Sequence, residues 1–82
     1  MSEAEILTGF TRILRDLLSD QSIVLTMDTK REEVANWDSF GYVTFIVAVE
    51  IEFGVNFGVA EVESFASVGA IVRRTMALLA SP

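Results

Sequence analysis

Residues 38–54 read DSFGYVTFIVAVEIEFG, and this stretch decides the fold. It opens on Asp38 and Ser39, residues that favour helix starts because their side-chain oxygens accept unpaired backbone N–H groups. It closes on Gly54, which favours a helix end. The residues between are largely β-branched or aromatic, so periodicity alone would also allow a strand. Length and the two end signals favour a helix over residues 39–53.

The apolar residues of this predicted helix form a wide stripe, which we expect to face the core. Glu50 and Glu52 mark the polar side near its end. The stripe consists of Phe40, Val43, Ile46, Val47 and Phe53.

Three further helices are predicted around this one. The first covers residues 3–18, with Ser2 as its cap and apolar side chains at helical spacing: Ile6, Leu7, Phe10, Ile13, Leu14 and Leu17. A short helix is predicted over residues 59–64. A last one is predicted over residues 67–80, capped by Ser67, with inward residues Ile71, Val72, Met76 and Leu79.

A long segment, residues 19–38, separates the first two main helices. Polar residues dominate it, and a loop of this length is uncommon in a small domain unless it is functional or contains a short turn. We expect its apolar residues to hold it against the core: Ile23, Leu25, Met27, Val34 and Trp37. The predicted fold class is thus all-α, a small bundle of three main helices plus one short helix with a long first loop. One domain should cover residues 1–82.

Composition excludes several classes of function. The 82 residues carry a net charge of −6 and include neither Cys nor His. Nucleic acid is a poor partner for an acidic surface, and Cys/His zinc sites and His-dependent nucleophilic triads are impossible. No apolar run approaches the roughly 20 residues of a membrane span. The acidic N-terminus does not resemble a signal peptide, so we expect a cytoplasmic location.

The chain resembles the acyl carrier protein family. Asp38-Ser39-Phe40 is similar to the family's Asp-Ser-Leu attachment motif, with Phe40 in the Leu position. The similarity continues without a gap to Val72, and its most specific part is the Glu50-Ile51-Glu52-Phe53-Gly54 close of the helix. Ser67-Val68 lies where family members often have Thr-Val. The amphipathic first helix and the long loop also fit, so that the resemblance spans nearly the whole chain.

This resemblance implies a carrier rather than an enzyme. Its cofactor would be 4'-phosphopantetheine, attached covalently to Ser39 beside the cap Asp38, with no metal in the carrier itself. A phosphopantetheinyl transferase would attach the arm, whose thiol would hold acyl groups as thioesters. This supplies thioester chemistry to a chain that encodes no cysteine. We expect a monomer that serves a specialised fatty acid, polyketide or secondary-metabolite pathway.

The expected partners are the transferase and acyl-activating, acyltransferase or synthase enzymes with basic docking patches. Acidic residues are concentrated around Ser39, which favours basic partner surfaces. The predicted docking residues are Phe40, Gly41, Glu50, Ile51, Glu52 and Glu61. Gly41, Thr44 and Ile51 replace acidic residues that are usual in carriers of general fatty acid synthesis, and this favours a specialised pathway.

The family's acyl pocket would correspond here to Tyr42, Val43, Phe45, Ile46, Phe57, Val62, Phe65 and Ile71. Several of these side chains are bulkier than those usual in the family, and added ring volume consumes internal space first. We therefore expect the cargo to be short, polar or exposed to solvent.

Two alternatives remain open at this point. The chain could carry an aminoacyl or D-alanyl group, although Asn36-Trp37-Asp38-Ser39 does not match the Gly-Gly-x-Ser usual in peptidyl carriers. It could also be an unmodified helical protein-interaction module.

Overall fold

The computed structural model describes residues 1–80, and these residues form four α-helices and no strand. The helices are α1 (Glu3–Leu18), α2 (Ser39–Phe53), α3 (Val59–Ser64) and α4 (Val68–Ala80). A single 3₁₀ turn, Arg31–Glu33, interrupts the long segment between α1 and α2. The predicted all-α class is confirmed, with three main helices, one short helix and a long first loop.

The helix ends follow the capping residues of the sequence. The Ser2 hydroxyl accepts the Glu5 N–H at 3.2 Å, and the Glu5 carboxylate accepts the Ser2 N–H at 2.9 Å. Asp38 accepts the Gly41 N–H at 2.8 Å. Gly54 ends α2 with φ 67°, a left-handed conformation that costs glycine little. Each of the three hydrogen bonds at Ser2 and Asp38 satisfies a donor that a helix terminus otherwise leaves unpaired.

The core lies where α1 packs against α2 and α4. Phe10 of α1 is fully buried and meets Phe45 edge-to-face at a centroid distance of 5.4 Å and Phe53 at 5.6 Å. Aromatic pairs favour such edge-to-face contacts. The remaining buried apolar residues that join this cluster are Ile6, Ile13, Leu14, Ile23, Leu25, Trp37, Ile46, Val49, Val68, Ile71 and Val72.

The buried face of α2 differs from the predicted stripe. Phe45, Ile46 and Val49 are buried, whereas the Phe40 side chain is 81% exposed. Of the other stripe residues, Phe53 is half-buried, and Val43 and Val47 are exposed. The prediction was right for Ile46 and in part for Phe53. It was wrong for Phe40, Val43 and Val47, because α2 is apolar on nearly every side and periodicity could not indicate which side meets α1.

A smaller correction applies to α4. Ile71 and Val72 are buried as predicted, but Met76 and Leu79 are exposed. Thr75 is fully buried instead, and its hydroxyl donates to the Ile71 carbonyl at 2.8 Å. That bond satisfies the hydroxyl within the helix, which allows a polar residue to take an inward position.

The long first loop is held by both side chains and backbone. Ile23, Leu25 and Trp37 are buried in the core, while Met27 and Val34 pack against it half-buried; the predicted anchoring is thus confirmed. Its backbone satisfies the start of α4: the Val68 N–H donates to the Thr29 carbonyl and the Gly69 N–H to the Met27 carbonyl, both at 2.8 Å. A Cβ at Gly69 would collide with that Met27 carbonyl. Only glycine therefore allows this close approach.

Within residues 1–80, no helix combines the length and the apolar character needed to cross a membrane.

Candidate functional site

Ser39 is the first residue of α2, and its side chain is exposed. Its neighbour Asp38 caps the helix, so the serine is held at the N-terminal end where backbone N–H groups and the helix dipole favour negative charge. The sequence contains no His or Cys to act as a base for its hydroxyl.

A cavity of about 370 Å³ opens beside Ser39. Ligand cavities in proteins span about 300–1,000 Å³, so this one lies at the small end of the range. The ends of several elements converge on it: the 3₁₀ turn, the start of α2, α3 with the residues after it, and the start of α4. Its lining consists of Arg31, Glu32, Trp37, Ser39, Tyr42, Val43, Val62, Glu63, Phe65, Ala66, Ser67, Val68 and Ile71.

Trp37 forms part of the cavity wall and belongs to the core as well. Its side chain is 5% exposed, and its ring meets Phe45 edge-to-face at 5.2 Å. The indole Nε1 is buried and has no hydrogen-bond partner among residues 1–80. A buried donor without an acceptor costs about 1–3 kcal/mol. The anchoring role of Trp37 is predictable from the sequence, whereas the unpaired donor is not.

Tyr42 also lines the cavity, and its side chain joins α2 to α3. Its hydroxyl donates to the Val62 carbonyl at 2.7 Å. The Arg31 guanidinium lies 5.2 Å from the centre of its ring, within the range of a cation–π contact. Burial raises the pKa of the Tyr42 phenol above its ordinary value, and the nearby Arg31 charge partly opposes that shift. The folded state therefore favours the neutral form of the Tyr42 phenol.

The structure brings together five of the eight predicted pocket residues. Those in the wall of the cavity are Tyr42, Val43, Val62, Phe65 and Ile71. The other three do not line the cavity. Phe45 and Ile46 are buried in the core, and Phe57 packs edge-to-face against Phe65 with the ring centroids 5.6 Å apart. No sequence pattern indicates that Arg31, Glu32, Glu63 and Ser67 lie at this site, because only the packing of the first loop, α3 and the turn before α4 brings them there.

The three predicted acidic docking residues are engaged within the molecule. Glu50 accepts the Phe57 N–H at 2.8 Å. Glu52 pairs with Arg12 of α1. Glu61 pairs with Arg74 and also accepts the Gly58 N–H at 2.9 Å, and that bond to the backbone is the main reason that the pKa of Glu61 lies below its ordinary value. These carboxylates therefore contribute to the fold itself.

The solvent-facing side of α2 carries an exposed apolar stripe, which starts one residue after Ser39. It consists of Phe40, Val43, Val47 and Ile51. The spacing of three or four residues keeps these side chains on one face of the helix. Contiguous apolar side chains on a surface often mark interaction sites.

No protein-family model matches the chain, and no curated protein or solved structure is significantly similar to it. Its chemistry therefore has to be inferred from the cavity, the serine and their neighbours. Within residues 1–80, no group of three or more acidic side chains is placed to hold a metal ion.

Proposed function

We propose that this protein is an acyl carrier, in which Ser39 holds a 4'-phosphopantetheine arm. The observation that carries this proposal is the position of Ser39: an exposed hydroxyl at a capped helix start, on the rim of a small cavity. The resemblance of Asp38-Ser39-Phe40 and the Glu-x-Glu-Phe-Gly segment to acyl carriers supports the same assignment.

The residues around Ser39 fit such an arm. Asp38 uses its carboxylate on the Gly41 N–H, which fixes the first turn of α2 and leaves Ser39 facing out. A phosphodiester at Ser39 would lie near the unpaired N–H groups of that turn, an arrangement favourable to anions. When bound, the arm supplies a thiol, which the chain does not encode and which carries acyl groups as thioesters. The cavity beside Ser39, which both polar and apolar side chains line, provides room for what the arm carries.

Attachment of the arm requires a second enzyme. A transferase base would take the Ser39 proton while the serine oxygen forms a bond to the phosphorus of coenzyme A that bears the pantetheine. The pyrophosphate bond of coenzyme A would break, and adenosine 3',5'-bisphosphate would leave. The Ser39 hydroxyl makes no hydrogen bond to another residue within 1–80, so it is available to that base.

The apolar stripe of α2 is the surface on which the transferase would dock. It begins at Phe40, directly beside the modified serine, and runs along the exposed side of the helix to Ile51. Basic patches on the partner would meet acidic residues at its margins, where Glu32 and Glu63 are exposed. Because Glu50, Glu52 and Glu61 have partners within the fold, apolar contact supplies the main contribution.

The experiment that tests this function is mass spectrometry of the intact protein. The protein is incubated with coenzyme A, Mg²⁺ and a broad-specificity phosphopantetheinyl transferase. We expect one phosphopantetheine mass to be gained by the wild type and none by Ser39→Ala. Ser2→Ala, which removes a capping hydroxyl elsewhere, serves as the matched control and should gain the same mass as the wild type. No gain in the wild type, or an equal gain in Ser39→Ala, would favour an unmodified interaction module instead.

A further inference from the structure

Arg31 carries a charge and hydrogen-bond donors that the fold itself does not pair. Within residues 1–80 its guanidinium makes no ion pair and no hydrogen bond, and it lies 5.2 Å from the centre of the Tyr42 ring. An arginine side chain presents five N–H donors and no acceptor, so its complement is an acceptor, preferably an anionic one. The other four arginines have carboxylate or carbonyl partners: Arg12, Arg15, Arg73 and Arg74.

The contact with Tyr42 places this guanidinium at the same part of the cavity as Ser39. Tyr42 follows Ser39 by three positions in α2, and side chains at that spacing share one face of a helix, with Cβ atoms about 5–6 Å apart. All three side chains, those of Arg31, Ser39 and Tyr42, line the cavity. A group attached to Ser39 would therefore enter the space that Arg31 borders.

The charges around the cavity give this cation a role there. Glu32 and Glu63 also line the cavity, and both are exposed. A phosphodiester at Ser39 would add a third negative charge at the same place, and neighbouring like charges repel one another. Arg31 is the one cation among the described lining residues. Its planar guanidinium suits phosphate oxygens, which can accept two of its N–H bonds at once.

We propose that the Arg31 guanidinium holds the phosphodiester of an arm attached to Ser39 and thereby directs the start of the arm along the cavity. Arg31 is a positioning residue in this role, because it bonds the phosphate oxygens and takes no part in attaching the arm. This inference rests on the proposed attachment at Ser39. It adds a second anchor for the arm on the 3₁₀ turn of the first loop, an element separate from α2.

The first test follows the phosphorus of the arm by ³¹P NMR in the arm-bearing protein. At about 0.05 M NaCl, we expect the signal of Arg31→Ala to differ from that of the wild type. The two signals should converge towards about 1 M NaCl, where the screening length is only about 3 Å and an exposed ion pair is weakened. Arg31→Lys, which retains the charge but not the planar group, should give a signal between the two. Lys30→Ala is the matched control: it removes an adjacent cation that does not line the cavity, and should keep the wild-type signal.

A second measurement shows whether the arm follows the cavity. It compares ¹H–¹⁵N amide signals before and after attachment at Val62, Ala66 and Ser67, which line the cavity outside α2. These signals should move when the wild type gains the arm and should move less in Arg31→Ala. The amide signal of Phe40, next to the modified serine, should move in both proteins and so serves as the internal control for attachment.

The outcomes separate this inference from the proposed function. Failure of the wild type to gain the arm, judged by mass, overturns both. If the wild type and Arg31→Ala both gain the arm but give the same ³¹P signal at every salt concentration, the carrier function stands and the role of Arg31 is wrong. An equal change in Lys30→Ala also overturns that role, since it would show a general effect of net charge.

Discussion

At the scale of single residues, Trp37 and Tyr42 share one cavity wall and are the protein's only tryptophan and only tyrosine. Their rings lie 6.0 Å apart. Within residues 1–80, Trp37 Nε1 has no hydrogen-bond partner, whereas the Tyr42 hydroxyl donates to the Val62 carbonyl. The Tyr42 hydroxyl thus ties this part of the wall to α3.

The Tyr42 phenol gives a direct test of this wall. Burial raises its pKa above 10.0, with an opposing effect from Arg31. The native state favours the neutral phenol, so its contribution to stability is complete below pH 10.0 and is lost as the pH rises through the higher native pKa. We expect the phenolate absorbance of the folded protein to titrate with a midpoint above 10.0.

A matched variant checks the cause of that shift. Arg31→Ala removes the cation that partly opposes the effect of burial, so the absorbance midpoint should rise further. Lys30→Ala removes a neighbouring positive charge that makes no contact with the ring and should leave the midpoint close to the wild-type value. A wild-type midpoint at or below 10.0 would show that Tyr42 is not held in the cavity wall.

At the scale of elements, the junction between the first loop and α4 depends on Gly69. The Gly69 N–H donates to the Met27 carbonyl at 2.8 Å, and an added Cβ would overlap the same carbonyl. We expect Gly69→Ala to lower the free energy of unfolding by about 1–3 kcal/mol, as overpacking does elsewhere. Urea unfolding followed by circular dichroism measures this loss.

Gly58→Ala provides the control for that experiment. Gly58 has φ −72°, which alanine adopts freely, and an added Cβ would meet no atom closer than 3.8 Å. Its substitution should cost less than about 1 kcal/mol, the usual range for a change at a helix cap. Equal losses in the two variants would mean that the loop does not approach α4 as closely as the structure indicates.

The elements also show which parts of the fold the sequence could predict. Helix ends were predictable because Ser2, Asp38 and Gly54 act locally through caps that depend on a few neighbouring residues. The buried face of α2 was not, since apolar residues surround that helix and only its contact with Phe10 selects Phe45 over Phe40. Helix α1 has one apolar and one polar side. All four of its buried residues were therefore predicted to face inward: Ile6, Phe10, Ile13 and Leu14.

The same distinction between local signals and tertiary packing applies to the residues of the candidate site. Ser39 and Asp38 could be predicted from a local motif. Arg31 and Ser67 reach the cavity only through tertiary folding, and no pattern in the sequence indicates that they meet. The same holds for Glu52, whose partner Arg12 lies 40 positions away (52 − 12). Long-range pairs of this kind are decided by how the helices pack.

At the scale of the whole molecule, apolar and charged surface are unequally available around α2. The net charge is −6, but three of the acids nearest the apolar stripe of α2 are bonded within the fold. Exposed ion pairs are weakened by salt, whereas burial of apolar surface is not. Partner recognition should therefore depend more on the stripe than on charge.

The corresponding experiment measures loading of Ser39 by the transferase. We expect Ile51→Ser, which changes a side chain that is 78% exposed, to lower kcat/KM about tenfold, the effect of losing about 1.4 kcal/mol of apolar contact. Glu52→Gln should change it less than threefold, with little change in its salt dependence. Val24→Ser, an exposed apolar residue in the first loop, is the matched control and should have no effect. A larger loss in Glu52→Gln than in Ile51→Ser would show that charge dominates docking.

The backbone bonds between the first loop and α4 also have a consequence for the order of folding. They join residues 42 and 39 positions apart (69 − 27 and 68 − 29), and α2 and α3 lie wholly within that stretch. Helices form from local contacts in about a microsecond, whereas distant ends meet only after the entropy of loop closure has been overcome. We therefore expect the first loop to become ordered after α2 and α3, the two helices that lie between the bonded residues. Since Arg31 and Glu32 belong to that loop, the cavity beside Ser39 is completed at the last stage of folding.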